Sequence, residues 1–386
     1  MPNKPRFLPY GQQLIEDDDI AAVVEALRSP LITQGPRVPE FEAALASYSG
    51  APYISAVANG TIALQLAYAA LGLGTDDEII TTPNTFAATA NAARALGANV
   101  RFSDVEPDTG NMDLTTVETL ITPRTKGIVP VHFGGLPVDL AGLRGIADRH
   151  KLWVVEDAAH ALGATYRGAP IGSGQYSEAT TFSFHPVKHI TTGEGGAIAV
   201  RDASLKRTID RLRHHGVERD SFKQPSPGPW YHEVQSLGWN GRITDIQCAL
   251  GLSQLRKQPG WLARRRELAA AYRTLIPARL GSRATVQATR PERESAYHLL
   301  PVLIDFAGVG VSRADVMTRL KTHQVGSQVH YIPVDSQPYY RELYGAPAQH
   351  PGMDSFYARE LSLPMFAGMS TDDVERVVTA LDATLR

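Results

Sequence analysis

Lys188 is the residue whose surroundings most strongly suggest covalent chemistry. It follows a strand-like run at 180–184 and Pro186, and a glycine-rich stretch at 193–196 comes soon after it. Because proline prevents simple helical continuation, we expect Lys188 in an irregular loop at the edge of a sheet. A lysine near apolar groups or another cation has a lowered pKa, which suits an amine that forms Schiff bases. A solvated loop lysine is the alternative interpretation of this segment alone.

A carboxylate is expected at the end of another strand. The apolar run 152–156 ends in Asp157, and His160 follows three residues later. A partly buried aspartate needs a cationic partner or several hydrogen bonds. A protonated ligand nitrogen would serve, and so would an arginine or a helix N-terminus. His160 faces the same pocket if a helical turn begins here, and both residues have purely structural alternatives.

Four further residues could bind a phosphate or an aromatic ring. Gly60 and Thr61 stand between a strand and a helix, where free backbone N–H groups attract anions, although an ordinary capped turn has the same pattern. Ser183 at a strand end could add a hydroxyl, and Phe86 could stack on a ring. Their alternatives are a polar strand-end residue and a core phenylalanine.

Taken together, these residues match the needs of pyridoxal 5'-phosphate. Its ring nitrogen requires a carboxylate, its aldehyde a lysine, and its phosphate amides and hydroxyls. The chain therefore predicts this cofactor at one edge of a sheet. It predicts no metal.

An alternation of strand and helix patterns must position these residues. It predicts a mostly parallel sheet between helices, with ligands at the carboxyl ends of the strands. The strands are expected at 53–57, 78–81, 100–103, 127–131, 152–156, 180–184 and 197–200, and the helices at 61–71, 85–96, 140–150 and 205–215.

The pattern changes after residue 243. Helices are expected at 245–257, 261–276, 313–322 and 371–385, with a strand at 296–304 and a Pro- and Tyr-rich loop at 331–340. This predicts two domains, a large α/β domain over 1–250 and a smaller α+β domain over 251–386.

Charge and cysteine content exclude several classes of function. The 386 residues hold 38 Lys plus Arg and 40 Asp plus Glu, a net charge of −2, which argues against nucleic acid and against a basic membrane-surface helix. Cys248 is the single cysteine, so neither an intramolecular disulfide nor a thiolate metal cluster can form, which fits a reducing cytoplasm. The uncharged stretch 51–75 is interrupted by polar residues and predicts a strand, a turn and a helix, not a membrane span. Residues 1–19 predict no signal peptide.

An ordered series of motifs resembles a known family, the sugar-nucleotide aminotransferases, over essentially the whole chain. The series comprises residues 33–36 with Phe41, 59–61, 85–89, 156–160, 183–188, 192–196, 213–216, 238–240 with Arg242, and 245–247. These are fold-type I pyridoxal-phosphate enzymes, so the resemblance implies an α/β large domain with a mostly parallel sheet between helices and a smaller α+β C-terminal domain.

Part of the chain is similar to one branch of this family, the UDP-4-keto-sugar aminotransferases of pseudaminic-acid biosynthesis. Residues 184–196, 247–255, 329–334 and 337–340 carry this similarity. Two positions depart from the pattern. Gly241 replaces the usual aromatic residue of the dimer-contact motif, and Asp335 stands where histidine is expected, so substrate detail stays open.

The resemblance implies a role for each candidate residue. Lys188 would bind the cofactor and move the proton, Asp157 would keep the ring nitrogen protonated, and His160 would lie near the phenolic oxygen. The phosphate would be held by Gly60, Thr61 and Ser183, and Phe86 would stack on the ring. Asn240 would reach the phosphate of the neighbouring subunit in a homodimer. Arg242 would receive the glutamate carboxylate or hold that loop, and a surface salt bridge is the alternative. His330 and Tyr331 would line the sugar-nucleotide pocket or simply pack a domain corner.

The implied reaction transfers an amino group from L-glutamate to C4 of a UDP-linked 4-keto-6-deoxy-N-acetyl sugar in the cytoplasm. One alternative is another C3 or C4 aminotransferase acting on a dTDP-keto sugar or a differently configured UDP-keto sugar. A dehydratase of the same fold would have histidine in place of Lys188. A non-catalytic sugar-binding paralogue would not need both Asp157 and Lys188 intact.

Overall fold

A seven-stranded sheet organises the first two thirds of the chain in the computed structural model, which describes residues 6–386. Its strands are β1 (Tyr53–Val57), β2 (Glu78–Thr81), β3 (Asn99–Phe102), β4 (Thr125–Ile128), β5 (Trp153–Asp157), β6 (Ala179–Ser183) and β7 (Gly196–Val200). They lie in the order β1-β7-β6-β5-β4-β2-β3, and only β7 runs antiparallel to its neighbours. The central strands are buried almost throughout, as is typical of sheets covered on both faces. The predicted α/β class is confirmed.

Helices accompany this sheet and connect its strands. They are α1 (Asp17–Arg28), α2 (Arg37–Ser49), α3 (Gly60–Ala70), α4 (Ala88–Arg94), α5 (Leu140–His150) and α6 (Ala203–Leu212), with one further turn at Leu114–Val117. Side-chain caps set several starts: Asn59 precedes α3, Asp139 precedes α5 and Asp202 precedes α6. The helix expected at 85–96 is shorter than predicted, because residues 85–87 form a turn.

One helix, α7 (Asp245–Leu280), joins the two parts of the molecule. Its first half packs with Leu255 and Leu262 in the core beside the large sheet, and its second half packs with Leu268 and Tyr272 in the C-terminal core. The prediction of two helices separated near Pro259 is wrong. A proline inside a helix costs about 3 kcal/mol, and the continuous burial of both halves offsets that cost.

A three-stranded antiparallel sheet forms the C-terminal part. Its strands β8 (Ala284–Val286), β9 (Leu300–Ile304) and β10 (Glu360–Leu363) lie in the order β8-β9-β10. The helices that follow α7 are α8 (Arg313–Thr322), α9 (Pro338–Tyr344), α10 (Pro351–Arg359) and α11 (Thr371–Thr384), with a single turn at Phe306–Val309. The predicted loop at 331–340 thus contains the start of α9.

The first described residues pack on this C-terminal sheet and its helices. Leu8 is buried in the C-terminal core, and its backbone pairs with that of Val325. The boundary predicted at residue 250 falls inside α7 and stays a prediction. Short paired strands complete the fold, Thr165–Tyr166 with Ala169–Pro170 and Arg293–Glu294, and Val217–Glu218 with Glu233–Val234. Within residues 6–386, no helix is both long and apolar enough to cross a membrane.

Candidate active site

The carboxyl ends of three parallel strands bring the predicted residues to one edge of the large sheet. Asp157 ends β5, Ser183 ends β6, and the turn after β1 leads into Gly60. β1 and β6 are both antiparallel to β7, so they point the same way as β5. This is the edge at which ligands bind in open α/β sheets.

Lys188 lies in the loop between β6 and β7. The Phe184 N–H donates to the Gly195 carbonyl and the Thr192 N–H to the Phe184 carbonyl, so the loop closes on itself. Lys188 Nζ lies 3.4 Å from His298 Nε2. Burial lowers the pKa of Lys188 to about 8, although the Asp157 carboxylate acts in the opposite direction. The uncharged form that a nucleophile requires is therefore far more accessible near neutral pH than in an ordinary lysine.

Asp157 receives two hydrogen bonds from uncharged donors. The Thr89 hydroxyl donates to Oδ2 at 2.7 Å, and the Ala159 N–H donates to Oδ1 at 3.1 Å. Thr85 lies 2.7 Å from the Thr89 hydroxyl, which it can orient. No lysine, arginine or histidine of residues 6–386 forms an ion pair with this 6% exposed carboxylate. A buried carboxylate favours a cationic partner, and a ligand can take that role at Asp157.

His160 and His298 form a buried pair beside Lys188. Their ring centroids are 4.3 Å apart, and His160 Nε2 lies 3.1 Å from the Tyr331 hydroxyl. Burial, and then the nearby Lys188, hold the pKa of both histidines well below the usual value, so both rings are neutral near pH 7. The Nδ1 atoms of both are buried without a partner among the described residues. Such unpaired polar atoms at a site favour a polar ligand.

The start of α3 forms an anion cradle against the end of β6. The Asn59 side chain accepts the Ile62 N–H at 2.9 Å, whereas the N–H groups of Gly60 and Thr61, at the start of the helix, have no helical partner. A Cβ added to Gly60 would lie 2.9 Å from Ser183 Cβ, so the two residues are in direct contact. A Cβ added to Gly196 would meet the Asn59 carbonyl oxygen at 2.6 Å, so β7 passes close to the same turn only because this residue is glycine.

Phe86 lies at the exposed side of the site. It lies in the turn between β2 and α4, its side chain is 63% exposed, and its ring centroid is 6.3 Å from that of Tyr331. It is not a core phenylalanine, which was the alternative. An uncovered aromatic face is what stacking on a ligand ring requires.

The predicted dimer-contact residues lie beside the cradle. The Ala58 N–H donates to the Gly241 carbonyl at 2.9 Å, and Arg242 Nη1 lies 2.9 Å from His214 Nδ1. Asn240 is exposed, and Arg242 forms no ion pair within residues 6–386. The surface salt bridge considered for Arg242 is therefore not present there. A Cβ at Gly241 would lie 3.0 Å from Ile62 Cγ2, so an aromatic residue would require Ile62 to move.

His330 is held by the C-terminal sheet, while Tyr331 faces the site. His330 Nδ1 lies 2.9 Å from the Ser362 hydroxyl, and the backbone N–H of His330 donates to the Glu360 carboxylate at 2.9 Å. Burial lowers the pKa of His330 to about 3 and raises that of Glu360 to about 8. Asp335, the other departure from the family pattern, is buried with its Oδ2 3.1 Å from His350 Nε2.

Three residues at the site were not predicted. Thr89 binds Asp157, His298 contacts Lys188, and the buried Arg265 donates to the carbonyls of Tyr297 and Met365. Thr89 lies in a motif of the resemblance, which could have indicated it. His298 and Arg265 had no local signal, because their environment comes from distant segments.

The site fits pyridoxal 5'-phosphate. The cradle at Gly60 offers amides to a phosphate, and Phe86 offers an uncovered ring. Within residues 6–386, Asp157 has no cationic partner and His160 Nδ1 has no hydrogen-bond partner, so both can bind polar atoms of the cofactor. Lys188 stands beside these groups with a depressed pKa.

Comparison with known proteins agrees with this geometry. The sequence profile of the DegT/DnrJ/EryC1/StrS aminotransferase family matches residues 13–382. The spore coat polysaccharide biosynthesis protein SpsC of Bacillus subtilis is 40% identical over 97% of this chain and 96% of its own length. The UDP-4-amino-4-deoxy-L-arabinose–oxoglutarate aminotransferase of Shewanella sediminis is 36% identical over 97% of both chains.

A solved structure of similar shape is PseC of Helicobacter pylori, an aminotransferase involved in the biosynthesis of pseudoaminic acid. It superposes with a TM-score of 0.91 at 32% identity, over 98% of this chain and 99% of that one. The protein is thus a fold-type I, pyridoxal-phosphate-dependent sugar aminotransferase. The chain belongs to the DegT/DnrJ/EryC1/StrS aminotransferase family.

Proposed function

We propose that the protein transfers an amino group from L-glutamate to C4 of a UDP-linked 4-keto-6-deoxy-N-acetyl sugar. The observation that carries this proposal is a lysine of lowered pKa near the buried Asp157 carboxylate, which forms no ion pair within residues 6–386, in a fold that matches PseC over nearly its whole length. The relative from Shewanella is named for a UDP-linked amino sugar and for oxoglutarate, the keto acid that glutamate becomes. Its name supports both the nucleotide and the donor.

Lys188 and Asp157 carry the proposed chemistry. When bound, the cofactor supplies an electron sink that stabilises charge at the carbon losing its proton. Lys188 would bind the cofactor aldehyde and, once released, Nζ would take a proton from that carbon and return it one position away. Its lowered pKa supports this role, since a charged amine cannot accept a proton. Asp157 would keep the ring nitrogen protonated, with Thr89 and Ala159 orienting its two oxygens.

The remaining residues would hold and orient the ligands. The amides of Gly60 and Thr61 with the Ser183 hydroxyl would bind the phosphate, and Phe86 would stack on the ring. His160 would bond the phenolic oxygen through Nδ1, because its Nε2 already contacts Tyr331. Tyr331 would also face the sugar nucleotide. His330 would act there mainly by holding Tyr331 in place, since its own ring contacts Ser362.

A homodimer with shared active sites is part of the proposal. Large apolar side chains are exposed in two places, one on and after α1, and the other in the segment before Asn240. They are Ile20, Val24, Leu27, Leu31 and Ile32 in the first place, and Trp230, Val234 and Leu237 in the second. Exposed apolar surface of this kind is typical of subunit interfaces. Asn240 and Arg242, which forms no ion pair within residues 6–386, would then serve the neighbouring site, on the cofactor phosphate and the glutamate carboxylate.

The subunit proposal is tested in solution. Light scattering should give twice the chain mass of 41.9 kDa. A mixture of inactive Lys188→Ala and inactive Asn240→Ala chains should regain activity, because one of the two sites in a mixed dimer is then intact. A fully active monomer would contradict shared sites. The cytoplasm is the proposed location, since a buried unpaired Cys248 fits a reducing compartment.

A panel of keto sugars tests the substrate. UDP- and dTDP-linked 4-keto and 3-keto sugars are incubated with the protein and L-glutamate, and products are identified by mass spectrometry and NMR. The proposal expects a UDP-4-amino sugar and 2-oxoglutarate in equal amounts. Amination at C3, or of dTDP sugars alone, would overturn the substrate while leaving the aminotransferase intact.

Borohydride reduction tests the lysine separately. The reduced cofactor should remain on the peptide that contains Lys188. A label on any other peptide would overturn the proposed role of Lys188, whatever the sugar.

A different sugar-nucleotide aminotransferase is the second candidate. It is favoured by the two departures from the family pattern, Gly241 beside the cradle and the buried pair of Asp335 and His350. The same panel distinguishes it, since it predicts turnover of a differently configured or dTDP-linked sugar.

A further inference from the structure

Lys188 has one hydrogen-bonding neighbour for its amine within the described part of the chain, and it is His298. The two nitrogens lie 3.4 Å apart, across 110 residues of sequence. Asp157 influences the amine through its charge, without a direct hydrogen bond to it. The contact therefore decides where the lysine rests when its amine is free.

The backbone around His298 is held from two sides. Arg265 on α7 donates to the carbonyl of Tyr297 at 3.1 Å and lies 3.4 Å from that of His298. The Leu299 N–H donates to the Gly134 carbonyl at 3.2 Å. A Cβ on Gly135 would lie only 3.0 Å from the backbone nitrogen of His298, so a glycine at 135 lets the two backbone segments approach closely. Two separate segments thus fix the backbone that carries the imidazole.

We propose that His298 is a positioning residue for Lys188: its Nε2 holds the free amine within the site whenever that amine is not bonded to the cofactor. A lysine side chain left without a partner would sample many rotamers, and fixing it raises the chance of productive attack. The imidazole does this as a hydrogen-bond partner and not as a base, because burial keeps the pKa of His298 well below the usual value.

The alternative is that His298 only fills space between His160 and His189, whose ring centroids are 4.3 Å and 5.6 Å away. Positioning requires a polar atom where Nε2 lies, whereas filling space does not, so substitutions that keep or lose that atom distinguish the two roles. Glutamine can place a polar group near the position of Nε2, whereas asparagine reaches only as far as Nδ1. His298→Gln should therefore preserve the positioning role and His298→Asn should lose it.

The test follows the cofactor-free protein and so does not depend on turnover. Pyridoxal 5'-phosphate is added, and the rate of covalent bond formation is followed by the growth of visible absorbance. Affinity without covalent bonding is measured with pyridoxamine 5'-phosphate, which has no aldehyde. His298→Asn and His298→Ala should slow bond formation by about tenfold, the cost of one hydrogen bond, and His298→Gln by less than about threefold. Affinity for the pyridoxamine form should stay within about twofold of wild type.

Equal rates for the Gln and Asn variants would overturn the proposal, as would a parallel loss of pyridoxamine affinity. If His298→Ala does not fold, the Gln and Asn pair still decides. The exposed His323, changed to Asn, is the matched control and should behave as wild type. The inference rests on Lys188 as the cofactor lysine. Lys188→Ala tests that separately: if visible absorbance still develops, the proposed function fails, irrespective of the His298 variants.

Discussion

The two halves of the candidate cofactor site are built differently. The phosphate cradle consists of residues 59–61 with Ser183, and its donors are mainly backbone amides at the start of α3. The ring pocket consists of Thr89, Asp157, His160, Lys188 and His298, and most of its polar contacts come from side chains, the Ala159 N–H to Asp157 being a backbone contribution. The cradle is partly exposed, whereas most of the pocket is buried.

This difference has a mechanical consequence. Apart from proline, no substitution removes a backbone N–H, so the cradle should tolerate other side-chain changes unless the backbone itself moves. When a substitution removes one of two buried hydrogen-bonded side chains, the polar group that remains is buried without a partner, and its full desolvation penalty destabilises the protein. Substitutions in the ring pocket should therefore have the larger effects.

Lys188→Ala should have the largest effect. Loss of the amine removes both the cofactor bond and the proton carrier, so turnover should fall by at least about 10⁴-fold. Affinity for pyridoxamine 5'-phosphate should change little, because the cradle and Asp157 remain. Steady-state kinetics and fluorescence titration measure the two quantities. Turnover within tenfold of wild type would remove the lysine from the mechanism.

Asp157→Asn should follow, with turnover about 100-fold lower, since the loss of a charged hydrogen-bond acceptor costs roughly 1.5–3 kcal/mol. Asparagine can still accept from Thr89 or from the Ala159 N–H, so the fold should survive. Asp202→Asn, at the exposed start of α6, is the matched control. Equal kcat for the two variants would show that Asp157 is structural.

The pH dependence of stability should show the buried amine directly. Lys188 has a pKa of about 8 in the folded chain and about 10.5 when unfolded, so the unfolded chain binds more protons between these values. Stability of the cofactor-free protein, relative to Lys188→Met, should therefore rise as the pH increases from about 8 to about 10.5. The gain should be at most about 3 kcal/mol, because Lys188 keeps part of its side chain exposed. Urea unfolding of both proteins at several pH values measures this gain. If the unfolding free energies of the two proteins change in parallel with pH, the pKa of Lys188 is not lowered in the folded chain.

The same contrast explains what could be predicted from the sequence. The cradle and the carboxylate are local signals, since a strand end followed by a helix start places Gly60 and Asp157 at a known edge of the sheet. His298 comes from the C-terminal part of the chain, 110 residues from Lys188. Its role depends on how that part docks, which no local spacing specifies.

The long helix α7 shows the converse limit. Pro259 is a strong local signal for a break, yet the helix continues because Leu255 and Leu262 on either side of it are buried. Tertiary packing outweighed the local preference. The strands of the large sheet were predicted well, because continuous apolar runs bounded by turns are both a local and a tertiary signature.

The smallest effects are expected in the cradle, where two variants separate backbone from side chain. Ser183→Ala removes only a hydroxyl and should weaken cofactor binding by about fivefold. Gly60→Ala adds a Cβ 2.9 Å from Ser183 Cβ, which forces the helix start away from β6 and should cost about tenfold. The double variant Gly60→Ala with Ser183→Gly restores the space, so it should bind better than Gly60→Ala alone even though a hydroxyl is missing. Titration with pyridoxamine 5'-phosphate measures all three. If Ser183→Ala instead weakens binding as much as Asp157→Asn lowers turnover, the phosphate is held by side chains, and the contrast between the two halves of the site does not exist.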